Sequence, residues 1–363
     1  MLATRVVMFG FDFLKNSFYK NKKVLVTGHT GFKGTWLCRI LINAGAMVTG
    51  YSLQPPTQPN LFSLADVESK MNSVVGDVRD FQHLQNVFTE AQPEIVFHLA
   101  AQPIVRESYR EPRYTYETNV MGTVNVLDCV RQCSSIKSVL NVTTDKVYLN
   151  RERAEGYRED EPLDGFDPYS NSKSCSELVT HCYRNSFFAD GKAAISTARA
   201  GNVIGGGDFA RDRIIPDCVR AVQQGETIKV RNPHSIRPYQ HVLEPLAVYL
   251  MIAAKQYENS CCAGYYNIGP DDCDSITTGE LVNLFCKHWG TEAKWERKTE
   301  LDSSHEAKFL KLDCSLLKRI FDWQPRWHIE ESIQKTCEFS KVWLQGGNVP
   351  AEMDKEIEEF FKE

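Results

Sequence analysis

No Cys-x-x-Cys pair occurs in this 363-residue chain, although it holds 12 cysteines. They are scattered, mostly inside apolar runs. That pattern argues against a disulfide framework and a zinc site, and reads as free thiols in a reducing cytosol. No run of about 18 apolar residues is present, so neither a membrane-spanning helix nor a membrane partner is expected. Basic charge is not in excess: 42 Lys and Arg face 47 Asp and Glu, a formal charge of -5, which gives no reason to expect nucleic acid. No internal repeat or low-complexity segment stands out. Arg5 and the apolar run Val6–Phe11 faintly resemble a secretion signal, but Asp12 breaks the run and no small-residue cleavage site precedes Lys20. Residues 1–20 read as an N-terminal extension, and the chain as cytoplasmic. A hydrophobic content of 42% with 25% charged residues is ordinary for a globular protein, and the length suits two domains or one with a large insertion.

What is present begins with Lys23-Val24-Leu25-Val26-Thr27, a short apolar strand. Gly28-His29-Thr30-Gly31-Phe32-Lys33-Gly34 follows at once, and then Trp36, Leu37, Ile40 and Leu41 recur at helical spacing up to Gly45. Strand, glycine turn and helix are the context of a dinucleotide fingerprint, with glycines admitting a pyrophosphate to the helix N-terminus. A second strand, Ala46–Tyr51, ends in Tyr51-Ser52-Leu53-Gln54 with no carboxylate for a ribose 2′-hydroxyl, which leaves NAD and NADP both open. Lys33 suits a phosphate or bulk water equally. A third strand ends at Asp77, which either bonds an adenine or caps the helix starting near Asp80.

Glu94–Ala101 is a continuous apolar run, the mark of a central parallel strand. His98 within it reads as a buried, hydrogen-bonded histidine, and small Ala100 and Ala101 permit close approach of a cofactor. A long helix is predicted after Asn119. The strand Ser138–Thr143 then delivers Thr144-Asp145-Lys146 at its carboxyl end, where ligands of open parallel sheets sit. Residues 150–168 read as a surface loop or flap. The helix that follows carries Tyr169 and Lys173 on one face. A tyrosine of pKa about 10 is a poor base, and a neighbouring ammonium favours its phenolate. With Thr144 to hold the substrate oxygen, this apparatus takes a proton from an alcohol while hydride leaves its carbon. Tyr-x-x-x-Lys alone is also an ordinary surface pair; the fingerprint upstream favours the functional reading. After a sixth strand, Ala194–Ala200, and a glycine-rich exit, alternation of strand and helix weakens. The fold class is α/β, a Rossmann-type doubly wound parallel sheet over 21–205. Parts of 237–268 return to it, and a smaller mixed α/β substrate region spans 206–236 and 269–363.

Thr27-Gly28-x-x-Gly31-x-x-Gly34 combined with Tyr169-x-x-x-Lys173 resembles the extended short-chain dehydrogenase/reductases that act on nucleotide sugars, from about residue 20 to the C-terminus. Gly28–Gly34, Ala100–Pro103, Thr118–Thr123, Thr143–Tyr148 and Ile236–Leu246 resemble the members that dehydrate CDP-D-glucose. The related dTDP-glucose dehydratases carry Asp-Glu after the Thr where this chain has Asp145-Lys146.

The resemblance implies NAD as cofactor, CDP-glucose as the small-molecule partner, and a homodimer or homotetramer. It implies dehydration to the 4-keto-6-deoxy sugar, a precursor of 3,6-dideoxyhexoses of bacterial surface polysaccharides. Tyr169, Lys173 and Thr144 would oxidise C4. Lys146 would take the C5 proton, or position the group that does, and Asp145 would protonate the leaving C6 hydroxyl. Gly28, Thr30, Gly31, Phe32, Lys33, Gly34, Tyr51, Asp77, Val78, Leu99, Ala100, Ala101 and Asn119 would line the cofactor with Tyr169 and Lys173. Gln102, Asn202, Arg213 and Arg237 would contact substrate, with no metal. Asp145 and Lys146 could instead form an exposed ion pair, and Arg213 and Arg237 could be structural. Another nucleotide-sugar dehydratase, a 4-epimerase and a non-catalytic dinucleotide sensor are the rival readings.

Overall fold

A computed structural model describes residues 17–298 and 310–362. Of the N-terminal extension, residues 1–16 lie outside the described residues.

Six parallel strands, β1 (Lys23–Thr27), β2 (Met47–Ser52), β3 (Asn72–Val75), β4 (Ile95–His98), β5 (Ser138–Val142) and β6 (Ala194–Ala200), are joined by a seventh, Tyr265–Ile268. Their spatial order is Tyr265–Ile268, β6, β5, β4, β1, β2, β3. The order reverses between β1 and β4, and that crevice is where a doubly wound sheet binds its ligand. Every residue of β4, β5 and β6 is buried, as expected of strands covered by helices on both faces. The helix Leu243–Glu258 packs behind β5 and β6 and is apolar nearly all round, the pattern of a helix with no solvent face.

The smaller region is built on a three-stranded sheet of Asn202–Ile204, Ile236–His241 and Ser275–Thr277, with its own apolar core against helices Ile214–Gln223, Thr278–Trp289 and Ile329–Leu344. The last helix, Val349–Phe361, departs from the sequence expectation. Its Val349, Met353, Ile357 and Phe360 join the main core, and Asp354 accepts from buried Arg39 Nε at 2.7 Å on the fingerprint helix Phe32–Asn43. The chain's end therefore braces the fingerprint helix as well as the helix Ile329–Leu344, to which Lys335–Glu359 (2.6 Å) also ties it. Residues 150–168 are also more constrained than a flap. Bridges Tyr148–Leu163 and Tyr157–Leu312 pin them, and Tyr148, Tyr157 and Leu312 share a small core. Among the described residues, no helix is long and apolar enough to cross a membrane.

The predicted helix after Asn119 begins earlier. Pro112–Tyr116 and Gly122–Gln132 are joined by a π-helical turn, Glu117–Met121, that contains Asn119. Such turns widen the helix locally and cluster at functional sites.

Candidate active site

The fingerprint turn depends on absent side chains at two positions. Gly28 has φ +77°, and a Cβ there would stand 2.7 Å from Ala100 N at the end of β4. At Gly34 a Cβ would meet the Gly28 carbonyl at 2.1 Å, so this glycine serves the packing of helix on turn. A Cβ at Gly31 would meet nothing nearer than 3.4 Å. The turn is therefore open on the Gly31 side, and the helix it starts has no side-chain cap on its first N–H groups. An uncapped 12-residue helix opening beneath a glycine turn fits a pyrophosphate. Gly28→Ala combines a left-handed backbone cost of about 1–2 kcal/mol with overpacking of about 1–3 kcal/mol. We expect a lowered urea midpoint together with loss of dinucleotide binding.

Around this turn the side chains divide. Thr30 Oγ1 donates to the Leu53 carbonyl at 2.9 Å and ties the turn to the end of β2. Leu99, Ala100 and Ala101 are partly exposed where β4 ends, while Val78 is buried against Gly122. Phe32 lies beside Gly205. His98 is buried between Thr27 (2.7 Å) and Thr123 (3.3 Å), and burial takes it down to about 3, so it stays neutral.

Four expectations need correction. Tyr51 is a core residue with no exposed surface: the side chain missing at Gly76 makes room for its ring, and its hydroxyl donates to the Asp77 carbonyl at 2.9 Å. Asn119 is buried, with Oδ1 accepting from Gln102 N and Nδ2 donating to the Gln102 carbonyl and Ser172 Oγ. It clamps the loop after β4 onto the Tyr169 helix. Gln102 is likewise spent inside that loop, on Thr115 and Ile104 N. Asp77 does not cap the next helix, since Asp80 accepts from His83 N; its carboxylate accepts from Arg79 N at 2.9 Å and from the Arg79 guanidinium at 2.6 Å, which holds it below the usual range against the effect of burial.

The reacting groups converge at the carboxyl end of β5. Asp167 caps the helix Pro168–Phe187, accepting from Ser170 N at 3.0 Å, and Pro168 enters at its first turn. That fixes Tyr169 at the mouth of the crevice, close to Thr144. Burial pushes the Tyr169 hydroxyl up to about 12, with Asp145 adding to the rise and Thr144 and Arg213 opposing it. Lys173 is buried, its Nζ donating to the Val142 carbonyl at 3.0 Å. Burial brings it down to about 8, and Glu177 opposes that fall.

Asp145 is 2% exposed, so the exposed ion-pair reading does not hold for it. Its Oδ1 accepts from Thr144 at 2.9 Å, while Oδ2 has no hydrogen-bond partner among the described residues and faces the bare Cα of Gly201. Burial raises its pKa, against the pull of Lys146, Thr144, Arg237 and Lys33. Lys146 is the partly exposed neighbour. Arg237 is buried near Asp145, and Arg213 holds Asp208 at 3.0 Å beside it. Asn202 sits half-buried on the strand that pairs with Tyr239.

Lys33, which the sequence leaves open between a phosphate and bulk water, is partly buried with its Nζ over the Tyr249 ring; it lies among Arg213, Asp145, Lys173 and Asp208, and burial, then Arg213, brings it down to about 7. Only its place in the first helical turn, one residue after Phe32, hinted at an inward course. Among the described residues, the one group of three or more possible metal donors is Cys273, Asp274 and His328. Its Asp274 is committed to the helix Ile329–Leu344, accepting from Ile329 N at 2.8 Å and pairing with His328 at 2.9 Å.

The family model for GDP-mannose 4,6 dehydratase matches residues 25–336. This chain belongs to that family. It stands within the extended short-chain dehydrogenase/reductases. It is 46% identical over 353 residues to a CDP-glucose 4,6-dehydratase of Salmonella typhimurium, covering 96% of this chain and 98% of that one. Among solved structures, the family's fold recurs in DesIV, a dTDP-glucose 4,6-dehydratase from Streptomyces venezuelae with NAD bound, at TM-score 0.76 and 21% identity over 89% and 98% of the two chains. A UDP-glucuronic acid 4-epimerase from Bacillus cereus, in complex with UDP-glucuronic acid and NAD, gives 0.75 and 19% over 88% and 99%.

Proposed function

We propose that this chain dehydrates CDP-D-glucose to CDP-4-keto-6-deoxy-D-glucose. The observation that carries the reading is a buried carboxyl, Asp145, with one oxygen unpartnered, next to Lys146 and one residue past Thr144. A 4-oxidation needs only Thr144, Tyr169 and Lys173. An elimination needs an acid and a base besides, and this pair supplies both chemistries. The 46% identity to the Salmonella enzyme supports the substrate, and the NAD bound in both structural neighbours supports the cofactor.

The turn at Gly28–Gly34 and the helix it opens would hold the dinucleotide, with Leu99, Ala100 and Ala101 beside it. NAD supplies a cationic hydride acceptor at C4 and the hydride that later reduces C6. Tyr169 would take the C4 hydroxyl proton as phenolate, a form that burial alone opposes and that the charge of Lys173 and of a bound cationic cofactor would favour, with Thr144 orienting the oxygen. The new ketone acidifies C5–H. Lys146 takes that proton. Asp145, kept protonated by its dry surroundings, gives its proton to the departing C6 hydroxyl, and water leaves. Arg213, Arg237 and Asn202 would receive the diphosphate and nucleotide, where an arginine fork suits phosphate.

Lys146→Ala is expected to retain C4 oxidation and to lose C5 exchange with solvent. The check is C5 deuterium uptake in heavy water; normal uptake would remove Lys146 from the role of base. The substrate is tested by offering CDP-, dTDP-, GDP- and UDP-glucose side by side with NAD in heavy water. Loss of one water from the CDP sugar, with deuterium gained at C5, is expected. Dehydration of another sugar alone would overturn the base assignment, and C4 inversion would favour an epimerase.

A homodimer is part of the reading. Leu178 and Phe187 on the Tyr169 helix, and Tyr109 and Met121 on segments that pack against it, stand about half exposed, apolar surface that a partner copy would cover. Light scattering at micromolar concentration should give at least twice the chain mass of 41.3 kDa.

A further inference from the structure

The Tyr169 helix carries a carboxylate that the mechanism above does not use. Glu177 lies four residues after Lys173, on the same helical face and 1% exposed. Its Oε1 accepts the Thr143 hydroxyl; its Oε2 accepts from Thr197 at 2.8 Å and from Arg199 at 2.9 Å. Arg199 is also buried, and its other nitrogen donates to Tyr148 at 2.7 Å and to the Glu159 carbonyl at 3.0 Å. Removing two charges from water costs several kcal/mol per ion, and well-packed apolar residues usually serve a core as well or better. Stability therefore gives little reason for this pair to lie here.

Its contacts give a reason. Lys173 donates to the carbonyl of Val142, and Glu177 accepts from the hydroxyl of the next residue, Thr143. The helix grips consecutive residues of β5, and the residue after them is Thr144. Asn141, one step earlier, is held to the same helix through Ser176 (3.0 Å) and Thr180 (2.8 Å). We infer that Glu177 is a positioning residue for the reaction: it clamps the carboxyl end of β5 to the Tyr169 helix at the spacing that sets Thr144 against Tyr169.

The charge of Glu177 also acts on Lys173. Lys33 approaches from the fingerprint helix and repels it, and His98 on β4 is neutral. Tyr169 is on its own helix, and Arg199 lies on the far side of Glu177 on β6. Glu177 is the group that opposes the effect of burial on Lys173. Without it, Lys173 should shed its proton at lower pH.

The inference rests on the Tyr169–Lys173 reading but not on the identity of the sugar, so its first test needs no substrate. Competitive acetylation across pH 6–10, read by peptide mass spectrometry, reports the fraction of Lys173 that is neutral. In Glu177→Gln, half-maximal labelling should move down by about one pH unit, a tenfold rise in neutral amine at a fixed pH below both midpoints. Turnover of whichever nucleotide sugar the wild type accepts should fall along with it. The wild-type to variant kcat ratio should grow about tenfold from pH 6.5 to pH 9, as the alkaline limb moves down. Should the lone Arg199 charge unfold Glu177→Gln, the double variant Glu177→Gln/Arg199→Met removes both charges and should shift the same limb in the same direction. An unchanged labelling midpoint with a kcat ratio flat across pH would reduce Glu177 to a fold-stabilising group and overturn the proposal.

Discussion

Tyr169→Phe is expected to lower kcat by about 10³-fold, within the range for loss of a general acid–base group, while leaving dinucleotide affinity within a few-fold of wild type. The phenol lies close to Thr144, and Lys173 follows one turn later on the same helix. The ring itself is 91% buried and makes the same packing in either residue, so the fold should survive. A silent dinucleotide sensor predicts no loss at all. The decisive assay is single-turnover formation of reduced cofactor at 340 nm: the variant should give none on the time scale of wild-type turnover.

Asp145→Asn separates oxidation from elimination. The substitution keeps shape and the Thr144 hydrogen bond, but an amide is a far weaker acid than a carboxylic acid. Overall dehydration should fall by at least about 10²-fold, while C4 oxidation persists, so reduced cofactor accumulates where the wild type shows only a trace. The pH dependence has a definite sign. Burial raises the Asp145 pKa, and the acid acts in its protonated form. Elimination is therefore present below that raised pKa and is lost as pH climbs through it, a limb that Asp145→Asn should abolish. A variant that dehydrates at the wild-type rate would move the acid role elsewhere.

Much of this site could be read from residue order because its parts are local. Strand, glycine turn and helix adjoin in sequence, as do Thr144, Asp145 and Lys146, and Tyr169 and Lys173 share one turn. Periodicity and spacing report such arrangements directly. The corrections concern contacts made across the fold. Tyr51 became a core residue because a glycine 25 positions later lacks a side chain. Asn119 and Gln102 were spent on each other through a π-turn that no hydrophobic pattern announces. The final helix returned to the dinucleotide side through an arginine more than 300 residues upstream. Glu177 and Arg199, on helix and strand, met only when the sheet assembled. Burial also set the protonation of Asp145, Lys33 and Lys173, and exposure of a charged residue is the property that sequence pattern reports least.

The central claim is that one sugar is oxidised at C4, dehydrated, and reduced at C6 within a single visit to this site. The most direct test is CDP-glucose carrying deuterium at C4, incubated with the protein and catalytic NAD, with the product located by NMR. The account predicts a 4-keto-6-deoxy product with that deuterium at C6 and a solvent proton at C5. Deuterium returned to C4 of an inverted sugar, or found on accumulated reduced cofactor with no water lost, would contradict it.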